Sequence, residues 1–313
     1  MKDEFKGKSV RLPDFLIVGA ARSGTTSLYK YLNQHPKIFM PSLKEPGFFV
    51  FGEEPPRYTY PENVNTTIKW KIDDYFNLFK DAGEDQLIGE ATTNYLYLYN
   101  QSITNIKRYI PLWQQLKIVI ILREPSERAF SRYLLLRLWG LEPLEFEDAL
   151  GKTKERLDLN WDVGFDYVGY GFYYNQVKAF LDSFPNVKIY LYEDLKADPL
   201  LVVKNIFSFL GVKNTFVPDI SKKHKSSGVP KSWRLYRLLN RPNLVSSKLP
   251  FITSLIPYEK RVLFIEKLKK INSTFSKKTK MKPTTKKYLK NLYRNDIVKL
   301  QQLIGRDLSD WIE

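Results

Sequence analysis

The sequence predicts an α/β fold: a P-loop-like three-layer sandwich with a central, mostly parallel sheet flanked by helices. Three observations predict it. Two unbroken apolar runs, FLIVG at 15–19 and KIVIIL at 117–122, have the length and composition of strands buried on both faces. Each is followed by a turn and a segment with helical spacing, the alternation that builds parallel sheets. Between the first run and its helix, Gly19 and Gly24 frame four residues, the spacing of a loop that wraps an anion.

The elements follow in order. After FLIVG, the spacing of Leu28 and Leu32 predicts a helix from Thr25 to Asn33, ending before His35-Pro36. LIGE at 87–90 reads as a strand. KIVIIL reads as the next, and Pro125-Ser126 opens a helix that runs to about Trp139. A helix around Tyr173–Ser183 precedes a fourth strand, VKIYLY at 187–192. Asp198-Pro199 starts the helix LLVVKNIFSFLGV, with Gly211 as its stop. A last helix begins at Pro283-Thr284-Thr285, with Tyr288, Leu292, Ile297, Leu300 and Leu303 among its apolar positions. The stretches 41–66, 140–166 and 215–256 read as long irregular excursions, the kind that form lids or acceptor sites over the carboxyl ends of strands. No repeat and no linker divides the chain, so residues 1–313 are expected to form a single domain.

Composition narrows the chemistry. The chain has no cysteine, which excludes a disulfide scaffold, a Cys-ligated zinc site and a thiol nucleophile. Its two histidines, His35 and His224, are too few for a His-rich metal site. No run approaches a membrane span, and MKDEFKGKSVRLPD has no signal-peptide core, so the expectation is a cytoplasmic protein. The formal net charge is +16, but it is regional. Residues 221–290 hold 20 Lys and Arg against Glu259 and Glu266, while the remainder is close to neutral. Such a segment suits an anionic partner (nucleotide, acidic glycan, nucleic acid or membrane surface), and equally a solvated face.

The glycine loop is the informative motif. In GAARSGTTSLYKYL at 19–32, Thr25 stands where a nucleoside triphosphatase carries lysine, and the basic residue, Arg22, sits inside the loop instead. The glycines let backbone approach an anion, the helix aims its positive end there, and Thr25, Thr26 and Ser27 add hydroxyls.

This segment resembles the 5′-phosphosulfate loop of sulfotransferases that use 3′-phosphoadenosine 5′-phosphosulfate (PAPS). That donor has no γ-phosphate, and its transfer chemistry needs no metal. The resemblance implies that Arg22, Ser23, Gly24, Thr25, Thr26 and Ser27 bind the donor, with Arg22 at the bridging oxygen and the transferred group. IVIILREPSERAFSRYLL at 118–135 resembles the family's 3′-phosphate element and implies Arg123 and Ser131 as its ligands. Arg128 and Arg132 are readable as neighbours of that site and equally as exposed helix charges. PSLKEPGFF at 41–49 resembles the KEP segment of the carbohydrate branch, which includes the heparan sulfate enzymes, and implies Glu45 as catalytic base. GEATTNYL at 89–96 is similar to a further family segment, with Ala91 where some relatives carry an active-site lysine. YGFYYNQVKAFLDSFP at 170–185, IYLYEDLKADP at 189–199 and KKHKSSGVPKS at 222–232 extend the likeness. The last resembles a loop that closes over the nucleotide, with Ser227, Gly228 and Lys231 as donor-binding candidates.

The implied function is sulfuryl transfer from PAPS to an acceptor hydroxyl or amine, on a carbohydrate, releasing adenosine 3′,5′-bisphosphate (PAP). A small-molecule or lipid alcohol is the alternative acceptor. Three other readings fit parts of the sequence: a P-loop kinase or nucleotidase, which wants the missing lysine; a basic nucleotide- or nucleic-acid-binding protein without catalysis, for which no module is recognised; and a sulfotransferase-like protein that binds donor without turnover.

Overall fold

The structure, a computed structural model, describes residues 2–5, 8–221, 229–230, 273–274 and 280–313. Strands β1 (Lys2–Phe5) and β2 (Lys8–Arg11) form an antiparallel hairpin. The central sheet has five strands: β3 (Phe15–Gly19), β4 (Ile38–Phe39), β5 (Leu87–Ala91), β6 (Lys117–Leu122) and β7 (Val187–Leu191). Their order is β4-β5-β3-β6-β7, and every pairing is parallel. Six helices of eight or more residues accompany it among the described residues: α1 (Thr25–Leu32), α2 (Tyr99–Tyr109), α3 (Pro125–Leu138), α4 (Tyr173–Ser183), α5 (Pro199–Leu210) and α6 (Pro283–Ile304).

The two-residue period of a strand divides the core into two layers. Phe15, Ile17, Val119 and Ile121 face one side and pack with Leu28 and Leu32 of α1 and with Val203, Ile206 and Phe207 of α5. Leu16, Val18, Ile118, Ile120 and Leu122 face the other and pack with apolar residues of α2, α3, α4 and α6. Both faces are dry, so the strands read as continuous apolar runs rather than alternating ones. Because all five strands are parallel, their carboxyl ends share one edge, and the loops leaving β3, β5, β6 and β7 meet there.

One expectation is corrected. The excursions 41–66 and 140–166 contain short helices, Phe48–Phe51, Val64–Thr67, Phe146–Gly151 and Thr153–Asp158. At four to six residues, none is long enough to display a 3.6-residue period. On α6 the buried stripe is Leu289, Tyr293, Ile297 and Leu300, whereas Tyr288 and Leu292 are 59% and 37% exposed. Apolar residues occupy two neighbouring stripes of that helix, and only contact with the sheet layer selects one. Most of the basic segment 221–290, with its candidates Ser227, Gly228 and Lys231, lies outside the described residues.

The 140–166 excursion is anchored by a buried ion pair. Arg156 Nη1 and Nη2 donate to Glu142 Oε2 and Oε1 at 2.5 and 2.9 Å, and the Tyr167 hydroxyl donates to Oε2 at 2.6 Å. A buried charge left alone is costly, so the pair must stand or fall together. Arg156→Ala is expected to lower unfolding free energy by about 3–5 kcal/mol, read from urea denaturation; a loss under about 1 kcal/mol would show that Glu142 is accommodated without its partner.

Candidate active site

The loop between β3 and α1 is built for close approach. A side chain at Gly19 would put its Cβ 2.5 Å from Leu96 Cβ. Gly24 caps α1 with φ of 95°, where an L-residue is strained, and a Cβ there would meet Leu195 Cδ2 at 2.7 Å. No side chain caps the helix and its first turn has no acidic residue, so its positive end is not locally neutralised. Ser23 is fully buried, and its Oγ has no hydrogen-bond partner among the described residues. Thr25 is buried and Thr26 exposed, while the Ser27 hydroxyl bonds the Tyr31 phenol one turn on.

Arginines converge on this loop. Arg22, with φ of 69°, donates from Nε to Ser131 Oγ at 3.1 Å. Arg123 follows directly after β6; its Nη1 donates to the Arg22 carbonyl at 3.2 Å, and its guanidinium lies 4.9 Å from the Tyr192 ring centroid. The Tyr173 hydroxyl donates to the Arg123 carbonyl at 3.0 Å and so fixes that turn. Arg132 donates to Asp162 Oδ1 at 3.3 Å and to the Gly164 carbonyl at 3.0 Å. Arg123 has Glu127 at 3.6 Å, but Arg22 makes no ion pair among the described residues. Burial, then the charges of Arg132 and Arg123, press the Arg22 pKa down to about 10. It is still a cation at neutral pH, held where a cation is disfavoured, which is a standing demand for an anion.

Glu45 approaches from the other side of the edge. Its amide donates to the Ala91 carbonyl at the end of β5 at 3.0 Å, and its own φ is 62°. Arg22 and Glu45 are thus two of the four non-glycine residues with positive φ among the described residues, a strain that clusters at functional sites. Glu45 Oε1 accepts from Lys44 Nζ at 2.5 Å and from Thr93 Oγ1 at 3.3 Å. Desolvation in the cleft works to raise its pKa, but Lys44, Arg132 and Thr93 outweigh that and hold the carboxyl below the usual carboxylate range. Half of the side chain (47%) still meets solvent.

The structure therefore brings Arg22, Ser23, Gly24, Thr25, Glu45, Arg123 and Ser131 to one edge, with Thr26 and Ser27 on the opening turn of α1. It adds Lys44, Thr93, Arg132 and Asp162, which sequence reasoning left unassigned. Arg128 and Arg132 stand one turn apart on α3, yet they part company. Arg128 is fully buried, donating to the Tyr167 carbonyl, while Arg132 joins the cluster. The i, i+4 spacing was the available signal, and burial alone separates the two. His35 is structural: its Nε2 meets the Lys213 carbonyl at 3.1 Å and its ring packs on Phe207 and Phe216.

A parallel sheet with a glycine loop between strand and helix, an arginine with no ion pair among the described residues and a facing carboxylate defines the class of P-loop-like group-transfer proteins. Within it, the chain belongs to the sulfotransferase domain family, which it matches over residues 12–232. It is similar to a crystal structure of a sulfotransferase from Alicyclobacillus acidocaldarius, with 31% identity and a TM-score of 0.75, covering 97% of this chain and 100% of that one. It is 32% identical over 134 residues to the membrane-associated sulfotransferase kil1 of Dictyostelium discoideum, covering 43% of this chain and 25% of that protein. It is 28% identical over 213 residues to the human bifunctional heparan sulfate N-deacetylase/N-sulfotransferase 3, covering 64% of this chain and 22% of that protein. The chain thus spans about a quarter of the length of these two relatives. No described helix is long and apolar enough to cross a membrane.

Gly24→Ala is expected to cost about 1–2 kcal/mol for the left-handed backbone alone, before the clash with Leu195, and a urea unfolding midpoint equal to the parent's would refute that constraint.

Proposed function

We propose that the chain, as one domain over residues 1–313, transfers a sulfuryl group from PAPS to an acceptor hydroxyl or amine of a carbohydrate, releasing PAP. The observation that carries this reading is Arg22: a cation with no ion pair among the described residues, pressed by two further arginines, beside an uncapped helix and a Ser23 hydroxyl that also has no partner among them. The membership of the sulfotransferase domain family supplies the reaction class.

Residues Ser23 to Ser27 hold the 5′-phosphosulfate, with Arg22 at the oxygen that bridges phosphorus and sulfur. Arg123 supplies a planar fork, and Ser131 a hydroxyl, for the 3′-phosphate. The acceptor oxygen or nitrogen attacks sulfur opposite that bridge. As the new bond to sulfur forms and the sulfur–oxygen bond breaks, the acceptor proton passes to Glu45 and the electron pair stays on the departing phosphate oxygen. A carboxylate held below its usual range is ionised and ready at neutral pH, but it is a weak base. Proton transfer neutralises it and frees Lys44, whose ammonium then turns to the charge on the sulfuryl oxygens. Positioning and electrostatics supply most of the acceleration, as in phosphoryl transfer, and no metal is required.

A carbohydrate acceptor is supported by the KEP segment around Glu45 and by the relatives named for heparan sulfate sulfation. Ser227, Gly228 and Lys231 are retained as proposed donor contacts.

Thermal unfolding with PAP, and separately with ATP plus magnesium, tests the donor. PAP at ~100 times its dissociation constant should add about 2.7 kcal/mol, and stabilisation by ATP–magnesium alone would overturn the reading. Arg123→Ala should weaken PAP binding by about 2 kcal/mol; parent-like affinity in calorimetry would remove Arg123 from the 3′-phosphate site. Glu45→Gln should slow PAP release from PAPS, measured against a panel of glycan and alcohol acceptors, by ~10²–10⁴-fold with PAP affinity kept. Unchanged turnover would eliminate Glu45 as the base.

A further inference from the structure

A second carboxylate lies beneath the first. Glu90, near the end of β5, is fully buried, and no cation bonds it among the described residues. Its oxygens accept three hydroxyl donors: Thr92 Oγ1 at 2.6 Å, the Tyr95 hydroxyl at 2.7 Å and the Tyr75 hydroxyl at 3.2 Å. Those three groups reach successive residues of one segment. Thr92 Oγ1 accepts the Gly47 amide at 3.3 Å. The Tyr75 ring stacks on Phe48, with centroids 4.6 Å apart and planes at 14°. The Tyr95 hydroxyl accepts the Phe49 amide at 3.3 Å. Next door on β5, the Ala91 carbonyl takes the Glu45 amide.

We propose that Glu90 is a positioning residue, which through these hydroxyls sets the backbone of residues 45–49 and so aims Glu45 at the reacting centre. The last step rests on the reading of Glu45 as base; the setting of the segment does not.

The direction of each relay carries the argument. Amide N–H donates to hydroxyl, and hydroxyl donates to carboxylate. An ionised carboxylate only accepts, so it orients both hydroxyl protons toward itself and leaves their lone pairs for the amides. A neutral carboxyl must place its own proton, and one hydroxyl then has to turn. The groups that face Glu90 are Thr92, Tyr95, Tyr75 and, at longer range, Lys44. Burial raises the Glu90 pKa to about 7 against the pull of those four, while Tyr75 and Tyr95 are raised by burial and by Glu90 and keep their protons as donors. The relay therefore tightens as pH rises through about 7 and loosens below it. The linkage sign for global stability is opposite: with the folded value above the ordinary one, Glu90 favours folding most below about 4.5, and that share is lost as pH rises through about 7. Glu90's share in local protection and its share in global stability thus move in opposite directions with pH.

Hydrogen–deuterium exchange of the full chain, corrected for intrinsic rates, reads this without any ligand. In the parent, protection of peptides covering 44–52 should rise from about pH 6 to about pH 8. In Glu90→Gln that rise should vanish and protection there should fall about tenfold, with peptides covering 117–122 unchanged. Thr92→Val, which leaves Glu90 in place, should lose protection at Gly47 alone and decides the matter if Glu90→Gln does not fold. Unchanged protection in both variants, or an equal loss in 44–52 and 117–122, overturns the proposal. If protection follows Glu90 while Glu45→Gln keeps full turnover, the setting of the segment stands and the base assignment falls.

Discussion

Positive charge at Arg22, which has no ion-pair partner among the described residues, is the constraint around which this site is arranged. Arg22 is tied by neutral partners. Its Nε reaches the Ser131 hydroxyl, and its carbonyl receives Arg123. Both arginines therefore sit within reach of one another although their charges repel, and the packed sheet edge sustains the arrangement. Capping α1 with a carboxylate, or pairing Arg22 with one, would stabilise the free protein and remove the attraction for an anionic donor. The left-handed backbone at Arg22 and Gly24 belongs to the same arrangement, since it turns the loop back on the start of the helix.

The two glutamates at this edge are managed in opposite ways. Glu45 is half exposed and kept in the company of cations, which hold its carboxyl low. Glu90 is buried and kept in the company of hydroxyls, which satisfy its lone pairs but only partly offset its desolvation. One short segment joins them, so the state of the inner carboxylate bears on the placement of the outer one. Divergent environments for neighbouring carboxyls are a recurring way to give two chemically identical groups two roles.

Much of this was legible in the chain. The strands at 15–19 and 117–122 and the helices at 173–183 and 199–210 are where the apolar runs and capping residues put them, because burial on both faces of a parallel sheet and helix start and stop signals are local properties. The short helices in 41–66 and 140–166 were not legible, since their stability comes from contacts such as Arg156 with Glu142 rather than from period. The choice of the Leu289–Tyr293–Ile297 stripe over Tyr288 and Leu292 was also hidden, because both stripes are apolar and only one finds a partner.

By itself, the sequence determined the strand–loop–helix cradle, its missing lysine and the segments that carry Arg22, Glu45, Arg123 and Ser131. These are set by glycine placement, apolar runs and residue type within a few positions. The tertiary structure decided which of them meet. Arg22 and Ser131 lie 109 positions apart and touch because β3 and β6 are neighbours in register. Arg132 turned to the site and Arg128 to the interior, Lys44 closed on Glu45, and Glu90 was enclosed by three hydroxyls. Strand order and layer packing settle such contacts, and no local pattern encodes them.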